Sequence, residues 1–269
     1  MTGPAIVADA PAIEFEGVEK RFPARGSSGE VLAARDVNFS IRTGEVVSII
    51  GPSGCGKSTL LNMGAGLSKP SAGKVHVAGH LVQGPNAHVS FMLQKDLLMP
   101  WRTIAQNIEF GLELRGVKLA ERRAISTRLL EKCHLRGFGS HYPKQLSGGM
   151  RQRAALARTL AVDPLVLLMD EPFSALDAQT KMILQQDLAR TVADEGKTVL
   201  FITHDLAEAV ALADRILVMS ERPGTIVESI DVDIADRDNP MVRRKHARVG
   251  PLVGQLMDLL KLDANTEVH

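Results

Sequence analysis

The segment at residues 51–59 constrains this chain more than any other. Its nine residues are Gly51, Pro52, Ser53, Gly54, Cys55, Gly56, Lys57, Ser58 and Thr59. An apolar stretch precedes it and a leucine-rich stretch follows, so the order predicts a strand, a glycine-rich loop and a helix, with the spacing G-x-x-x-x-G-K-[ST]. Such a loop directs backbone N–H groups and a helix N-terminus toward a phosphate. We therefore expect Lys57 to reach the β- and γ-phosphates of a nucleotide and Ser58 to ligate Mg²⁺. The alternative is a flexible glycine turn without a ligand.

Composition limits the classes of protein that fit around this loop. Aromatic residues make up only 4% of the 269 residues, so the core must consist mainly of aliphatic side chains, as in helices packed on a parallel sheet. The net charge of +1 indicates no large nucleic-acid surface.

Cysteine usage and hydropathy predict where the chain works. Cys55 and Cys133 have no metal-ligand spacing and are expected to be free thiols in a reducing compartment. Cys55, placed among N–H donors, is expected to react readily with thiol reagents. Residues 1–12 lack the features of a signal peptide, and no apolar run approaches the roughly 18 residues of a membrane helix. At a membrane, another subunit would have to span the bilayer.

Strand and helix patterns alternate along most of the chain. In the first part of the chain, strands are expected at 13–18, at 31–41 as one or two strands, and near 74–78 and 88–93. Residues 95–145 instead have helical patterns, at 103–114 and 119–134. The alternation then resumes with helices at 150–161, 178–195 and from 206, and with strands at 165–169, 198–203 and 215–219. This pattern predicts an α/β fold with a parallel sheet and a helical insertion. Ligands then bind at the carboxyl ends of the strands, where the glycine loop, Asp170 and His204 fall.

The C-terminal segment differs from the rest. Residues 236–248 are rich in charge, and Leu252, Leu256, Leu259 and Leu260 lie on one helical face. We predict a closing helix packed on its own domain; the alternative is a contact with a partner.

Two further segments carry candidate chemistry. Asp170 and Glu171 follow a buried apolar run, so one carboxylate can hold Mg²⁺ while the next, pointing to another side, orients an attacking water. The alternative is an acidic pair at an exposed strand end. Residues 146–150, Leu-Ser-Gly-Gly-Met, place Ser147 and two glycines at the start of a helix, which is a second anion-binding N-terminus or a plain capped helix. One nucleotide cannot easily use both helix N-termini.

Residues 146–150, lying between the glycine loop and Asp170-Glu171-Pro172, resemble the signature of the ATP-binding cassette (ABC) ATPases. The resemblance extends from Phe15 to about Glu228. It implies a P-loop NTPase with a RecA-like core, an antiparallel β subdomain and an inserted helical subdomain. The implied boundaries are 12–230 for the cassette, about 95–160 for the helical subdomain and 231–269 for the C-terminal segment.

The same resemblance implies roles for individual residues, with ATP and Mg²⁺ as cofactors. Phe22 would stack on adenine, Gln94 would sense Mg²⁺ and the membrane subunit, and His204 would contact the γ-phosphate. Lys57 and Glu171 would take part in catalysis together with His204. Ser58, Gln94 and Asp170 would bind the Mg²⁺ ion. Residues 174–177, ending in Asp177, match the segment that crosses between two cassettes.

In the family, two cassettes pair head to tail. Ser147, Gly148 and Gly149 of one copy would therefore close on the ATP held by a second copy. Two departures from the family pattern are Phe22, where tyrosine is common, and Met150, where glutamine is common. A lone histidine such as His204 is more often an ordinary surface or core residue, so the assignments depend on the order of all the motifs together.

Met150, together with residues 97–101 and 220–224, resembles the nitrate/sulfonate/taurine/bicarbonate importer subfamily, with the aliphatic sulfonate type nearest. This resemblance implies membrane permease subunits, an indirectly associated solute-binding protein, no nucleic-acid partner, and a peripheral location on the cytoplasmic face of the membrane. Residues 97–101 would form a groove for a permease helix; the alternative is plain core.

Two other functions fit this sequence less well. A soluble ABC ATPase acting on DNA or ribosomes would carry a long coiled-coil insertion or two cassettes in one chain, and this sequence has neither. A P-loop kinase gives no reason for the second glycine-capped helix. The solute stays open from sequence, because the cassette contacts nucleotide and permease.

Overall fold

The computed structural model describes residues 10–24, 29–174 and 176–261, which form two β-sheets and the helices around them. The smaller sheet is antiparallel, with strand order β2-β1-β4-β5. Its strands are β1 (Ile13–Pro23), β2 (Glu30–Ile41), β4 (Ala72–Val77) and β5 (His80–Leu81). The second predicted region is thus one long strand. Alternate residues of β1, such as Ile13 and Phe15, are buried, which confirms the half-buried pattern.

The larger sheet has six strands in the order β10-β9-β3-β8-β7-β6. Its strands are β3 (Val46–Ile50), β6 (Val89–Met92), β7 (Val166–Asp170), β8 (Thr198–Ile202), β9 (Arg215–Met219) and β10 (Ile226–Asp231). All neighbours are parallel except β10, which lies antiparallel to β9. Because β3, β7 and β8 are parallel, the residues that follow them meet at one edge of the sheet.

Helices pack on this sheet and form the insertion between β6 and β7. They are α1 (Lys57–Gly64), α2 (Ile104–Leu114), α3 (Leu119–Lys132), α4 (Gly148–Ala161), α5 (Ala178–Glu195), α6 (Leu206–Leu212), α7 (Pro240–Arg243) and α8 (Val249–Leu259). Helix α2 begins where predicted because Thr103 and Gln106 form a reciprocal capping box. Helix α3 ends two residues before the predicted His134, whose backbone is left-handed with φ 54°. Among the described residues, none of the helices has the length and apolarity needed to cross a membrane.

The C-terminal helix packs on its own domain. Leu252 and Leu256 of α8 are buried in the same core as β9 and β10, whereas Leu259 is at the edge and partly exposed. This confirms the closing helix. The boundary proposed at residue 230 stays a prediction, and β10 runs through that position; residues 262–269 lie outside the described residues.

Candidate nucleotide-binding site

The glycine-rich loop connects β3 to α1 as the sequence predicts. Gly56 is the N-cap of α1, has φ 110°, and makes no side-chain cap bond. A Cβ on Gly56 would lie 3.0 Å from the carbonyl oxygen of Ala33, so both the backbone angle and the space favour glycine there. The N-cap residue of α1 therefore offers no side chain to the first N–H groups of the helix. Helix N-termini with open N–H groups of this kind bind anions.

Lys57 curls its side chain back over the loop. Its Nζ donates hydrogen bonds to the carbonyl oxygens of Gly51 and Pro52, at 2.7 and 2.8 Å. The ammonium is therefore placed within the curve of the loop, on the side where phosphate oxygens would lie.

A cleft of about 970 Å³ opens beside this loop. Its lining comprises Phe22, Pro23, Val31, Ala33, Ser53, Gly54, Gly56, Lys57, Ser58, Thr59, Glu171, Ile202 and Arg222. Phe22 is 41% exposed, and the Nζ of Lys20 lies 5.2 Å from its ring centroid. An aromatic face, a loop rich in N–H donors and a carboxylate thus share one cleft, as binding of a nucleoside triphosphate requires.

Asp170 and Ser58 form the part of the site suited to a metal ion. The Ser58 hydroxyl lies beside the Asp170 carboxylate, and burial raises the pKa of Asp170 above its usual range although this hydroxyl acts to lower it. A carboxylate and a hydroxyl are hard oxygen ligands of the kind that Mg²⁺ prefers. The residues present therefore fit Mg²⁺.

Glu171 turns away from Asp170. Its backbone is left-handed, with φ 46°, and its carboxylate oxygen Oε2 lies 3.0 Å from Nε2 of Gln94 and 3.4 Å from Nδ1 of His204. Gln94 also donates to the hydroxyl of Ser174, at 3.3 Å. The two adjacent carboxylates thus have different partners, as expected from their position at a strand end, and a left-handed non-glycine residue is typical of functional sites.

The second helix with glycines at its start is α4. The Ser147 hydroxyl accepts a hydrogen bond from the N–H of Met150 at 3.3 Å. A Cβ on Gly149 would lie 2.5 Å from Thr180, whose N–H is capped by Asp177 at 3.0 Å. That backbone N–H also holds the pKa of Asp177 below its usual range. The N-termini of α4 and α5 therefore lie side by side.

None of the residues Ser147, Gly148 and Gly149 borders the cleft beside Lys57. Gly148 borders a second opening of about 780 Å³, whose other edge includes Gln94, Glu171 and His204. The structure thus places Phe22, most of the glycine loop and Glu171 around one cleft, and Gln94, His204 and the exposed start of α4 around a neighbouring opening that shares Glu171.

Polar contacts that the sequence did not suggest tie the segment after Gln94 to α4. Gln152 donates to the Gln94 carbonyl at 2.9 Å, and Arg151 pairs with Asp96 at 3.0 Å. Arg158 donates to the carbonyl oxygens of Asp96 and Leu97, at 2.6 and 2.8 Å. The Arg-Gln-Arg run at residues 151–153 could have indicated the first two contacts, but not those of Arg158.

The apolar segment 97–101 divides between core and surface. Leu98 is 7% exposed and belongs to the core, whereas Leu97 and Trp101 are 56% and 73% exposed. Trp101 borders a groove of about 790 Å³ between α2 and α3. The plain-core interpretation is therefore correct for Leu98 alone.

Cys55 contradicts one expectation. Its side chain is 1% exposed and lies under the loop, so ready reaction with thiol reagents is wrong for this conformation. The thiol lies beneath the loop: a Cβ on Gly51 would lie 3.2 Å from its sulfur, and the Nζ of Lys57 lies 3.8 Å from it. Cys133 is also free and buried, and burial raises its pKa to about 12.

Comparisons with known proteins agree with this geometry. The family model described as ABC transporter matches residues 34–174. An uncharacterized ABC transporter ATP-binding protein, MJ0412 of Methanocaldococcus jannaschii, is 47% identical over 222 residues, which cover 82% of each chain. The taurine import ATP-binding protein TauB of Yersinia pestis bv. Antiqua is 46% identical over 76% of this chain and 80% of its own.

A solved structure shows the same fold. The ATP-binding cassette MJ0796, described as a dimeric post-hydrolysis state bound to ADP and Pi, superposes with a TM-score of 0.73 at 32% identity, covering 82% of this chain and 98% of its own. The fold and the glycine loop define an α/β ATPase. The chain belongs to the ABC transporter family, as an ATP-binding and ATP-hydrolysing cassette.

Proposed function

We propose that the chain is the ATPase subunit of an importer for a small anionic solute, of the sulfonate, taurine or nitrate type. The observation that carries the proposal is the 46% identity to a protein named for taurine import. Residues 12–230 would form the cassette, with 95–160 as its helical subdomain and 231–269 as its C-terminal segment. The chain would lie on the cytoplasmic face of the membrane, bound to permease subunits. A solute-binding protein would deliver the solute to those subunits.

Within one copy, the cleft would hold ATP with Phe22 on adenine and residues 51–59 around the phosphates. The Lys57 ammonium would give up its hydrogen bonds to the carbonyl oxygens of Gly51 and Pro52 and bind the β- and γ-phosphates instead. Ser58, Asp170 and Gln94 would hold Mg²⁺, which when bound neutralises charge on the phosphate oxygens.

Glu171 would orient the attacking water and accept its proton. Its contacts with Gln94 and His204 support this role, because both neighbours hold the carboxylate at the edge of the sheet where the γ-phosphate would lie. His204 is exposed enough to reach that phosphate.

The site would be completed by a second copy. Ser147, Gly148 and Gly149 lie outside the cleft that contains Lys57, and Asp177 lies beside them. The similar cassette MJ0796 is described as a dimer. In a head-to-tail pair, ATP binding would favour the closed dimer and hydrolysis would release it, and this difference in affinity would drive the permease.

The link from nucleotide to permease would be the segment after Gln94. Its contacts with α4 connect the Glu171 cluster to the start of the signature helix, and it leads directly to Trp101. The groove beside Trp101 would receive a short permease helix, as amphipathic helices bind in grooves.

Solute uptake tests this proposal. In cells that lack the chain, we expect the wild-type gene to restore uptake of one labelled solute among taurine, an alkylsulfonate, nitrate and bicarbonate. The Glu171→Gln variant should be made in equal amount and restore no uptake, because binding without hydrolysis cannot reset the transporter. The proposal would be contradicted if uptake of all four solutes were independent of the chain. It would also be contradicted if the Glu171→Gln variant restored uptake.

A further inference from the structure

The turn between β9 and β10 packs directly on the glycine loop. A Cβ on Gly224 would lie 2.0 Å from the carbonyl oxygen of Cys55, so the two backbones are in close contact. Gly224 also exchanges backbone hydrogen bonds with β2, donating to Ala33 at 3.0 Å and accepting from Arg35 at 2.9 Å. The turn is therefore fixed to the smaller sheet on one side and to the nucleotide loop on the other.

Arg222 extends from this turn along the mouth of the nucleotide cleft. Its Nε and Nη2 both donate to the carbonyl oxygen of Gly54, at 3.1 and 2.8 Å. In a trans peptide the C=O and the following N–H point in opposite directions. Holding the Gly54 carbonyl toward Arg222 therefore turns the N–H of Cys55 toward the inside of the loop, where it donates a hydrogen bond to the carbonyl oxygen of Pro52 at 3.4 Å. With ATP bound, this N–H would exchange that carbonyl for a phosphate oxygen.

The inward N–H groups of such a loop are the ones that bind phosphate. We propose that Arg222 is a positioning residue that holds the Gly54–Cys55 peptide in its phosphate-binding orientation and so keeps the loop closed over the buried Cys55 thiol. This inference rests on the assignment of ATP to the loop. It is independent of pairing, of the permease and of the solute.

The buried thiol reports directly on this contact. In the nucleotide-free, full-length chain, we expect Arg222→Met, which keeps the apolar stem and removes the donors, to raise the rate of Cys55 alkylation about tenfold through local opening. Arg222→Lys, which keeps the positive charge on a single donor nitrogen, should raise the alkylation rate of Cys55 about twofold. Cys133 is the internal reference, and peptide mass spectrometry with N-ethylmaleimide measures both rates at once.

Two outcomes of this measurement would overturn the proposal. An unchanged Cys55 rate in Arg222→Met would show that the side chain does not hold the loop. An equal rise at Cys55 and Cys133 would show a general loosening of the fold instead of a local effect.

Nucleotide affinity supplies the second readout. We expect Arg222→Met to raise the dissociation constant for ATP about fivefold, because a charge-assisted hydrogen bond that orders the loop is lost. Arg222→Lys should recover most of the affinity. The matched control is Arg21→Met, which removes an exposed arginine next to Phe22 that pairs with Glu19 at 3.0 Å and not with the loop.

An unchanged ATP affinity in Arg222→Met, or an equal loss in Arg21→Met, would overturn the positioning role. These binding and alkylation experiments need no hydrolysis and no second copy. If pairing fails while Arg222→Met behaves as expected, the proposed function is at fault and the positioning role stands.

Discussion

Helices α1 and α4 both have glycines at their start, yet they begin in different ways. At α1 the N-cap is Gly56, no side chain bonds to the first N–H groups, and Lys57, Ser58 and Asp170 lie around the opening. At α4 the N-cap is Ser147, which satisfies the N–H of Met150 with its own hydroxyl. The first helix therefore leaves its N–H groups open to a ligand, whereas the second satisfies one N–H with its own cap; in the proposed dimer, α4 would meet a phosphate held by the other copy.

Removing the cation at α1 should have the largest effect. We expect Lys57→Ala to lower ATP affinity at least about 100-fold, because the ammonium is the positive group within the loop. Lys74→Ala, which removes an exposed lysine from β4, is the matched control and should bind ATP normally. Equilibrium binding of a fluorescent ATP analogue measures both, and tight binding by Lys57→Ala would refute the phosphate-binding role of this loop.

A charge placed at α4 should separate binding from turnover. A Cβ on Gly148 has only the tip of Arg151 near it, at 3.9 Å, so Gly148→Asp fits the folded chain and suits a helix N-terminus. We expect it to lower ATPase activity about 30-fold by repelling a partner's phosphate, with ATP binding by the single chain retained.

Gly149→Ala sharpens that test, because its Cβ would lie 2.5 Å from Thr180. We expect this variant to lose thermal stability, which Gly148→Asp should keep. Full ATPase activity in Gly148→Asp would show that α4 does not take part in hydrolysis.

Removing the cap of α4 should have the smallest effect. Ser147→Ala deletes the side-chain cap, which costs about 1 kcal/mol in the free energy of unfolding, and should lower ATPase activity about fivefold. Thr103→Ala removes a similar cap from α2 and should cost similar stability without the loss of activity. Urea unfolding and a phosphate-release assay measure the two quantities; equal activities of the two variants would leave Ser147 as a structural cap only.

Local patterns made most of the fold predictable. The unbroken apolar runs of β3, β7 and β8 and the capped starts of α2 and α4 are signals carried by adjacent residues. β5 and β10 were missed, since two-residue and edge strands have little pattern of their own. The order of strands in the larger sheet depends on long-range packing and could not be read from local sequence.

The site was predictable as a set of motifs and not as a set of contacts. Motif order predicts roles for Lys57, Asp170, Glu171 and His204, but their partners depend on which strand ends meet. Burial of Cys55 was missed because it depends on how the loop folds back over the sulfur, with Gly51 and the Lys57 side chain beside it. Arg222 was missed as a nucleotide-site residue because its bonds to Gly54 join segments far apart in sequence.

In the proposed dimer, the ATP bound at α1 of one copy is covered by α4 of a second copy. Size-exclusion chromatography with light scattering of Glu171→Gln tests it directly, with ATP and Mg²⁺ present. We predict a mass of twice 29.1 kDa for Glu171→Gln, and a single-chain mass with ATP still bound once Gly148→Asp is added. A single-chain mass for ATP-bound Glu171→Gln, or a dimer that persists in the double variant, would contradict the claim.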